Sequence, residues 1–267
     1  MLQIRAKILY NKRVKDNYFH LVLEAPRINK KSLPGQFLNI KVNAGYEPLL
    51  RRPFSVHRVK GINIEILYEV VGNATGILSR RKSGEYLDVI GPLGNGFNYR
   101  LPITDYRLPI LVSGGMGVAP LVFLADTLAH SQHCPAGKKK ILVLIGAKTR
   151  NQLLCEREFK RLGCNVKIST DDGSKGFKGQ VTDLLKRVLR LAISDKRLAI
   201  YACGPRPMLK EISRISKKHK IPAQVSLEEH MACGIGVCLG CAVNTKEGFK
   251  RVCKEGPVFN ADEISWK

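Results

Sequence analysis

The run Pro109-Ile110-Leu111-Val112-Ser113-Gly114-Gly115-Met116-Gly117-Val118-Ala119-Pro120 reads as a strand, a glycine-rich turn and the start of a helix. Pro120 falls inside the first helical turn, where its missing N–H leaves no bond unmade. The same grammar then repeats. Lys140 to Gly146 is followed by a helical pattern over Asn151 to Leu162, and Asn165 to Ser169 by one over Thr182 to Leu191. Leu198 to Ala202 is followed by one over Pro207 to His219. The alternation predicts a doubly wound parallel α/β sheet, with Gly114, Gly115 and Gly117 placed to receive a nucleotide pyrophosphate. The turn is not G-x-G-x-x-G and lacks the acidic residue about twenty positions on, which disfavours an ordinary dinucleotide-binding dehydrogenase. Gly146 to Arg150 and Tyr201 to Pro205 end two further strands, so Cys203 and Gly204 join the nucleotide candidates; a packed small residue is the plain alternative for Cys203. Lys148 and Arg150 suit a 2′-phosphate, which leaves NADPH open beside NADH.

Upstream, as far as about Arg100, the pattern is short β-type runs between turns: Gln3 to Tyr10, Phe19 to Glu24, Phe37 to Val42, Phe54 to Arg58, Asn63 to Val71 and Tyr86 to Ile90. This predicts a small antiparallel β-barrel. At the entry of one barrel strand, Arg51-Arg52-Pro53-Phe54-Ser55 combines guanidinium for a pyrophosphate with a hydroxyl for a flavin edge. Thr75-Gly76-Ile77-Leu78-Ser79 predicts a short helix whose first amides meet phosphate, and Gly91 to Phe97 a turn open to close ligand approach.

The last part, from about Ile221, holds Cys233-x4-Cys238-x2-Cys241-x11-Cys253 and no long periodic segment. Three thiolates from one tight loop and a fourth from a later strand is the plant-type [2Fe-2S] arrangement. Gly234, Gly236 and Gly240 fall where the backbone must curl and aim its amides at sulfur. A structural zinc normally takes two short C-x2-C pairs, and only Cys238 and Cys241 form one. A segment this small needs a bound metal for its order.

Over 267 residues, 45 Lys+Arg against 22 Asp+Glu give a net charge of +23, and 44% of residues are hydrophobic. That is enough for more than one core, and it excludes a disordered tail or a peptide hormone. The basic residues, as in Lys138 to Lys140, Lys186 to Arg197 and Arg206 to Lys220, lack the interleaved aromatics of a stacking surface, so nucleic acid is not expected as a partner. A zinc-stapled basic nucleic-acid binder remains the alternative of a different class. No apolar run approaches the roughly 18 residues of a membrane span, so no membrane insertion is expected. Met1 to Arg5 shows no leader pattern, and the expected location is the cytoplasm. His20, His57 and His219 stand in no general-base motif, and no catalytic residue is assigned.

Taken together, these residues resemble the ferredoxin–NADP reductase superfamily and, within it, the electron-transfer subunits of NAD-dependent, B-type dihydroorotate dehydrogenases. Besides the stretches above, Leu33 to Phe37, Thr170 to Ser174, Ser226 to Cys233 and Val252 to Phe259 carry the likeness, which covers essentially the whole chain. The resemblance implies three domains: an FAD-binding barrel over 1–101, an NAD(H)-binding α/β domain over 102–222 and a [2Fe-2S] domain over 223–267. It places FAD on Arg52, Pro53, Phe54, Ser55, Leu67, Tyr68, Glu69, Gly76 and Ile77, and the cluster on Cys233, Cys238, Cys241 and Cys253. It further implies an FMN-containing catalytic partner in a 2+2 heterotetramer serving pyrimidine biosynthesis. The nearest rivals are small subunits of related enzymes, of the ferredoxin:NADP oxidoreductase or sulfhydrogenase diaphorase type. Ile77 and Glu255 depart from the threonine and aspartate usual at those places.

Overall fold

The computed structural model describes residues 1–99, 108–130, 141–191 and 198–266. The expected domain boundary at 101/102, the lysines at 138–140, Cys134 and the end of the basic stretch from Lys186 to Arg197 lie outside these residues.

Seven antiparallel strands form the first body: β1 (Leu2–Lys15), β2 (Tyr18–Glu24), β3 (Phe37–Lys41), β4 (Arg52–Ser55), β5 (Arg58–Lys60), β6 (Asn63–Glu69) and β7 (Tyr86–Leu93). Their spatial order is β4-β3-β7-β1-β2-β6-β5. Period-2 alternation turns Ala6 and Ile8, Leu21 and Leu23, Leu38 and Ile40, Ile64 and Ile66, and Leu87 and Val89 into one core. The two edge strands are consecutive in the chain. Val56 donates its N–H to Gln36 O at 3.0 Å and His57 donates to Glu65 O at 2.9 Å, so the chain leaves one edge and joins the other within two residues. The expected barrel is therefore a curled sheet whose edges are drawn together by Arg52–Lys60. Two short helices, α1 (Pro26–Asn29) and α2 (Asn73–Ser79), cover its ends.

The second body alternates as the sequence predicts, through β8 (Leu108–Gly114), α3 (Val118–His130), β9 (Leu142–Ala147), α4 (Glu156–Arg161), β10 (Asn165–Thr170), β11 (Phe177–Lys178), α5 (Val181–Leu191), β12 (Leu198–Cys203), α6 (Arg206–His219) and β13 (Ala223–Ser226). Its central strands β8, β9 and β12 are buried on both faces because helices cover both. Leu111, Val143, Ile145 and Tyr201 pack with α3 and α4, while Ile110, Val112, Leu144 and Ile200 pack with α5 and α6. The sheet order, β11-β10-β9-β8-β12-β13 followed by the C-terminal strand β16 (Val258–Asn260), reverses direction between β8 and β12. The helix expected over 151–162 is shorter. Leu153 is extended (φ −72°, ψ 128°) and Cys155 takes left-handed backbone angles, φ 60° and ψ 6°, so a 3₁₀ turn over Arg150–Gln152 is cut off from α4.

The C-terminal part adds a hairpin, β14 (Ala242–Thr245) and β15 (Gly248–Arg251), and a strand, β16 (Val258–Asn260), antiparallel to β13. β13 itself, although it lies beyond 222, pairs in parallel with β12. Val243, Val252, Phe259 and Ile264 are buried in the same cluster as Val225 and Ile212. The expectation that a metal alone orders this segment is thus corrected, because its apolar half borrows the core of the nucleotide sheet. No helix among the described residues is long and apolar enough to cross a membrane.

Candidate functional site

The loop after β13 brings three of the four cysteines together, and the turn after β15 brings Cys253. Cys233 Sγ accepts N–H groups from Ile235 at 3.4 Å, Val237 at 3.4 Å and Cys238 at 3.5 Å, and Cys241 Sγ accepts the Cys253 N–H at 3.4 Å. Gly234 and Gly236 have φ of +70° and +86°, and a Cβ on Gly234 would run into the Asn39 amide. Gly240 has no such φ. The left-handed position there is Leu239 (φ 59°), and Gly240 instead leaves room 3.5 Å from Cys238 Sγ. Burial works against a Cys233 thiolate, yet the amides of Cys238, Ile235 and Val237 bring the thiol down to about 6. Cys253 goes the other way, pushed up to about 12 by burial and by Cys241.

Cys233 shares a hydrogen bond with Cys238 and Cys241 shares one with Cys253, and Cys233 also lies within electrostatic reach of Cys253. No three of them lie within 4.8 Å of one another. Four thiolates on one tetrahedral zinc, at about 2.3 Å each, would stand about 3.8 Å apart. Two pairs fit two bridged irons, and the inward amides fit the negative charge such a cluster carries. Two side chains that the sequence reading missed hold the loop. Arg251 Nη1 donates to Gly236 O at 2.7 Å while the rest of its guanidinium grips Glu255, and buried Asn39 donates from Nδ2 to Cys233 O at 3.1 Å. The glutamate at 255 is therefore long enough to keep Arg251 aimed at the loop.

Beside this loop runs a cleft of about 560 Å³. One wall is Arg52, Pro53, Phe54 and Ser55 of β4 with Leu67, Tyr68 and Glu69 of β6, all seven expected from sequence. The opposite wall was not expected: Met116 and Ala119 by the glycine turn, Ser226 to Met231 after β13, and Pro257. Only the folded topology brings these together, and no local signal marks them. Tyr68 is buried and donates its hydroxyl to Asn11 Oδ1 at 3.1 Å; burial pushes its ionisation up. Burial likewise pushes the Glu228 carboxyl up.

Three sequence expectations land elsewhere. Gly76 and Ile77 lie inside α2 and line no part of this cleft; Thr75 does, and the Gly76 N–H is already donated to Gly72 O at 2.9 Å. Arg51 is committed to Asp88, with Nη2 2.6 Å from Oδ2. The turn from Gly91 to Phe97 is a structural seam, since Gly94 packs on Gly256 and Pro257, and Asn95 donates from Nδ2 to Glu255 O at 3.0 Å.

At the reversal of the parallel sheet, Cys203 pairs with Ser113, and the two strand ends meet. Gly117 lies so close to the Cys203 carbonyl that a Cβ would overlap it, and Gly204 sits against Gly114. Gly115 (φ +55°) faces open space. In doubly wound sheets this crevice at the carboxyl ends of the strands is where nucleotides bind. Cys203 is 1% exposed and burial pushes its thiol up, so it packs the strand end and is no nucleophile.

Comparison with known proteins agrees with this geometry. Residues 228–265 match the iron–sulfur cluster binding domain of dihydroorotate dehydrogenase B, a span that includes all four cysteines, and residues 111–214 match an oxidoreductase NAD-binding domain. The dihydroorotate dehydrogenase B (NAD(+)) electron transfer subunit of Desulforamulus reducens is 40% identical over 98% of both chains. That of Caldanaerobacter subterraneus subsp. tengcongensis is 38% identical, also over 98% of both. Among solved structures, a chain of the NADH-dependent reduced ferredoxin-NADP oxidoreductase studied for flavin-based electron bifurcation superposes with a TM-score of 0.83. It is 29% identical and covers 98% of this chain and 90% of its own. Fold and site together define an NAD-linked oxidoreductase component that carries an iron–sulfur centre. The chain belongs to the family of dihydroorotate dehydrogenase B (NAD(+)) electron transfer subunits.

Proposed function

We propose that this chain is the electron-transfer subunit of an NAD-dependent dihydroorotate dehydrogenase in pyrimidine biosynthesis, carrying electrons outward from an FMN-containing catalytic subunit to NAD⁺. When bound, FAD exchanges a hydride with NAD(H) and single electrons with a [2Fe-2S] cluster. Arg52 to Ser55 and Leu67 to Glu69 hold the flavin in the cleft, with Thr75 beside Gly76 and Ile77 at its phosphate end. Gly114, Gly115, Gly117, Cys203 and Gly204 form the nicotinamide-nucleotide crevice, and Met116 reaches from that crevice into the flavin cleft. Cys233, Cys238, Cys241 and Cys253 hold the irons.

The observation that carries this reading is the convergence of four cysteines, with backbone amides aimed at Cys233 and Cys241, on a segment that also supplies Ser226 to Met231 and Pro257 to the cleft wall. One stretch of chain thereby touches both redox centres. Val237 and Leu239, 75% and 62% exposed, leave the rim of the cysteine loop apolar, as suits contact with a partner. The working assembly is a cytoplasmic heterotetramer of two chains of each kind.

Copurification from the native host tests this reading. The chain is expected to bring down an FMN protein, and the complex to convert dihydroorotate to orotate with NAD⁺ while neither chain alone does so. Recovery of a complex that reduces ferredoxin or NADP⁺ and leaves dihydroorotate untouched would replace it with the second reading, a ferredoxin-NADP oxidoreductase subunit, which the 0.83 TM-score favours.

A further inference from the structure

Where the curled sheet meets the parallel sheet lies a cluster that the electron path does not use. His57, between β4 and β5, is 1% exposed. Its Nδ1 is 3.0 Å from the Ala119 carbonyl oxygen at the start of α3. A carbonyl only accepts, so Nδ1 carries the ring hydrogen and donates it. Nε2 then points a lone pair at Glu158 Oε2, 3.2 Å away on α4. Two electron-rich atoms face each other at that distance only with something positive between them, a second ring proton or a cation. Cys155 Sγ adds a third donor atom, its thiol hydrogen-bonded to the Glu158 carboxylate in a contact that metal binding would replace. It lies with the other two atoms in a trio whose members are all within 4.8 Å of one another.

Imidazole, thiolate and carboxylate are the donor set of zinc. Tetrahedral ligands at about 2.0–2.1 Å stand about 3.3 Å apart, close to the separation of Nε2 and Oε2. A ring whose remote N–H is fixed by a carbonyl is the outer-shell arrangement that orients a metal-binding histidine. Arg58 Nη2 lies 3.2 Å from the same Glu158 oxygen and pairs with its charge, as outer-shell cations beside ligating carboxylates do. The Glu158 side chain stays 31% exposed, which leaves a way in and a fourth position for water.

We propose that His57 Nε2, Cys155 Sγ and Glu158 Oε2 form a Zn²⁺ site that staples the curled sheet to the parallel sheet, the Cys155 thiol proton leaving to solvent as its sulfur binds. The site is separate from the four cluster cysteines and independent of the function proposed above.

The test uses the purified holoprotein, flavin and cluster in place, titrated anaerobically with Co²⁺. One equivalent per chain is expected to give tetrahedral ligand-field absorption in the red, beyond the flavin and cluster bands, with iron content unchanged and the signal displaced by Zn²⁺. Cys155→Ser is expected to keep the flavin and cluster spectra but to lose the sulfur-to-cobalt band and weaken binding by more than about tenfold. Cys164→Ser, at a buried cysteine outside the trio, is expected to bind as the parent does. Should Cys155→Ser fail to retain flavin, Glu158→Gln carries the same expectation of weakened binding with the sulfur band kept. Absence of saturable red absorption in the parent, or a band that survives Cys155→Ser unchanged, overturns the proposal; the first result means that His57 holds a second proton instead.

Discussion

Gly117 and Gly234 both sit in loops that receive a cofactor, yet they are glycines for different reasons. Gly117 is pressed against the backbone of a neighbouring buried strand, at the Cys203 carbonyl, and has no room for a side chain. Gly234 needs its positive φ to curl the chain around sulfur, and its neighbour is the end of one side chain, Asn39. The nucleotide crevice is held by strands buried on both faces. The cysteine loop has exposed residues at its tip and few apolar contacts of its own, and it relies on amide-to-sulfur bonds, on Arg251 and on the metal. One site is made by packing and the other by coordination.

The strongest way to break this comparison is to take the iron away. Removal by a chelator under oxidising conditions is expected to leave the parallel sheet folded while the amides of Ile235, Val237 and Cys238 lose more than about a hundredfold of hydrogen-exchange protection. Equal loss in β8 and β12 would show that the two regions are one unit. The converse experiment is Gly117→Ala. It forces apart two strand ends that cannot yield, at roughly 3 kcal/mol measured by denaturant unfolding, and it abolishes NAD(H) binding while cluster absorption is retained.

A smaller effect is expected at the loop's supports. Arg251→Ala removes a charged donor from Gly236 O and leaves Glu255 with only the residue-251 backbone N–H. It should cost about 1–2 kcal/mol and speed loss of iron, whereas Lys250→Ala on the other face of β15 should do neither. The smallest effect tests an ion-pair network on the helical face, far from either site. Glu211 on α6 lies between Arg214 and Lys186, which reaches across from α5, and these hold its carboxyl down at about 2. A lowered carboxylate stabilises the fold above its unfolded value of about 4.3 and loses that contribution as pH falls through the folded value. Glu211→Gln should therefore cost under about 1 kcal/mol at pH 7, and the difference from the parent should shrink through the window from about 4.3 down to about 2.

What the sequence disclosed follows the same divide. The strand–turn–helix alternation, the β-type runs and the cysteine spacing are local patterns from which the fold, Arg52 to Ser55 and the four sulfurs were legible, whereas Leu67 to Glu69 came only from the family resemblance. Met116, Ala119 and Ser226 to Met231 were not, because they reach the cleft only once β8 and β13 lie in one sheet facing β4. Asn39 and Arg251 escaped for a similar reason. A single amide in a strand or an arginine in a hairpin carries no local sign that its partner is a loop carbonyl 194 or 15 positions away. The helix expected over 151–162 failed over Leu153 to Cys155, where an extended backbone at Leu153 and a left-handed one at Cys155 are not encoded by the apolar period. Cys155 is the one that turns toward His57 and Glu158.

The central claim is that the four cysteines hold a pair of irons that exchanges electrons with NADH through this chain. Anaerobic titration of the isolated protein with NADH, followed by low-temperature paramagnetic resonance with iron and sulfide analysis, tests it directly. The account predicts two irons and two sulfides per chain and a reduced-cluster signal that grows with NADH and is absent from Cys241→Ser. A protein with one zinc per chain, or an iron pair that dithionite reduces and NADH does not, would contradict it.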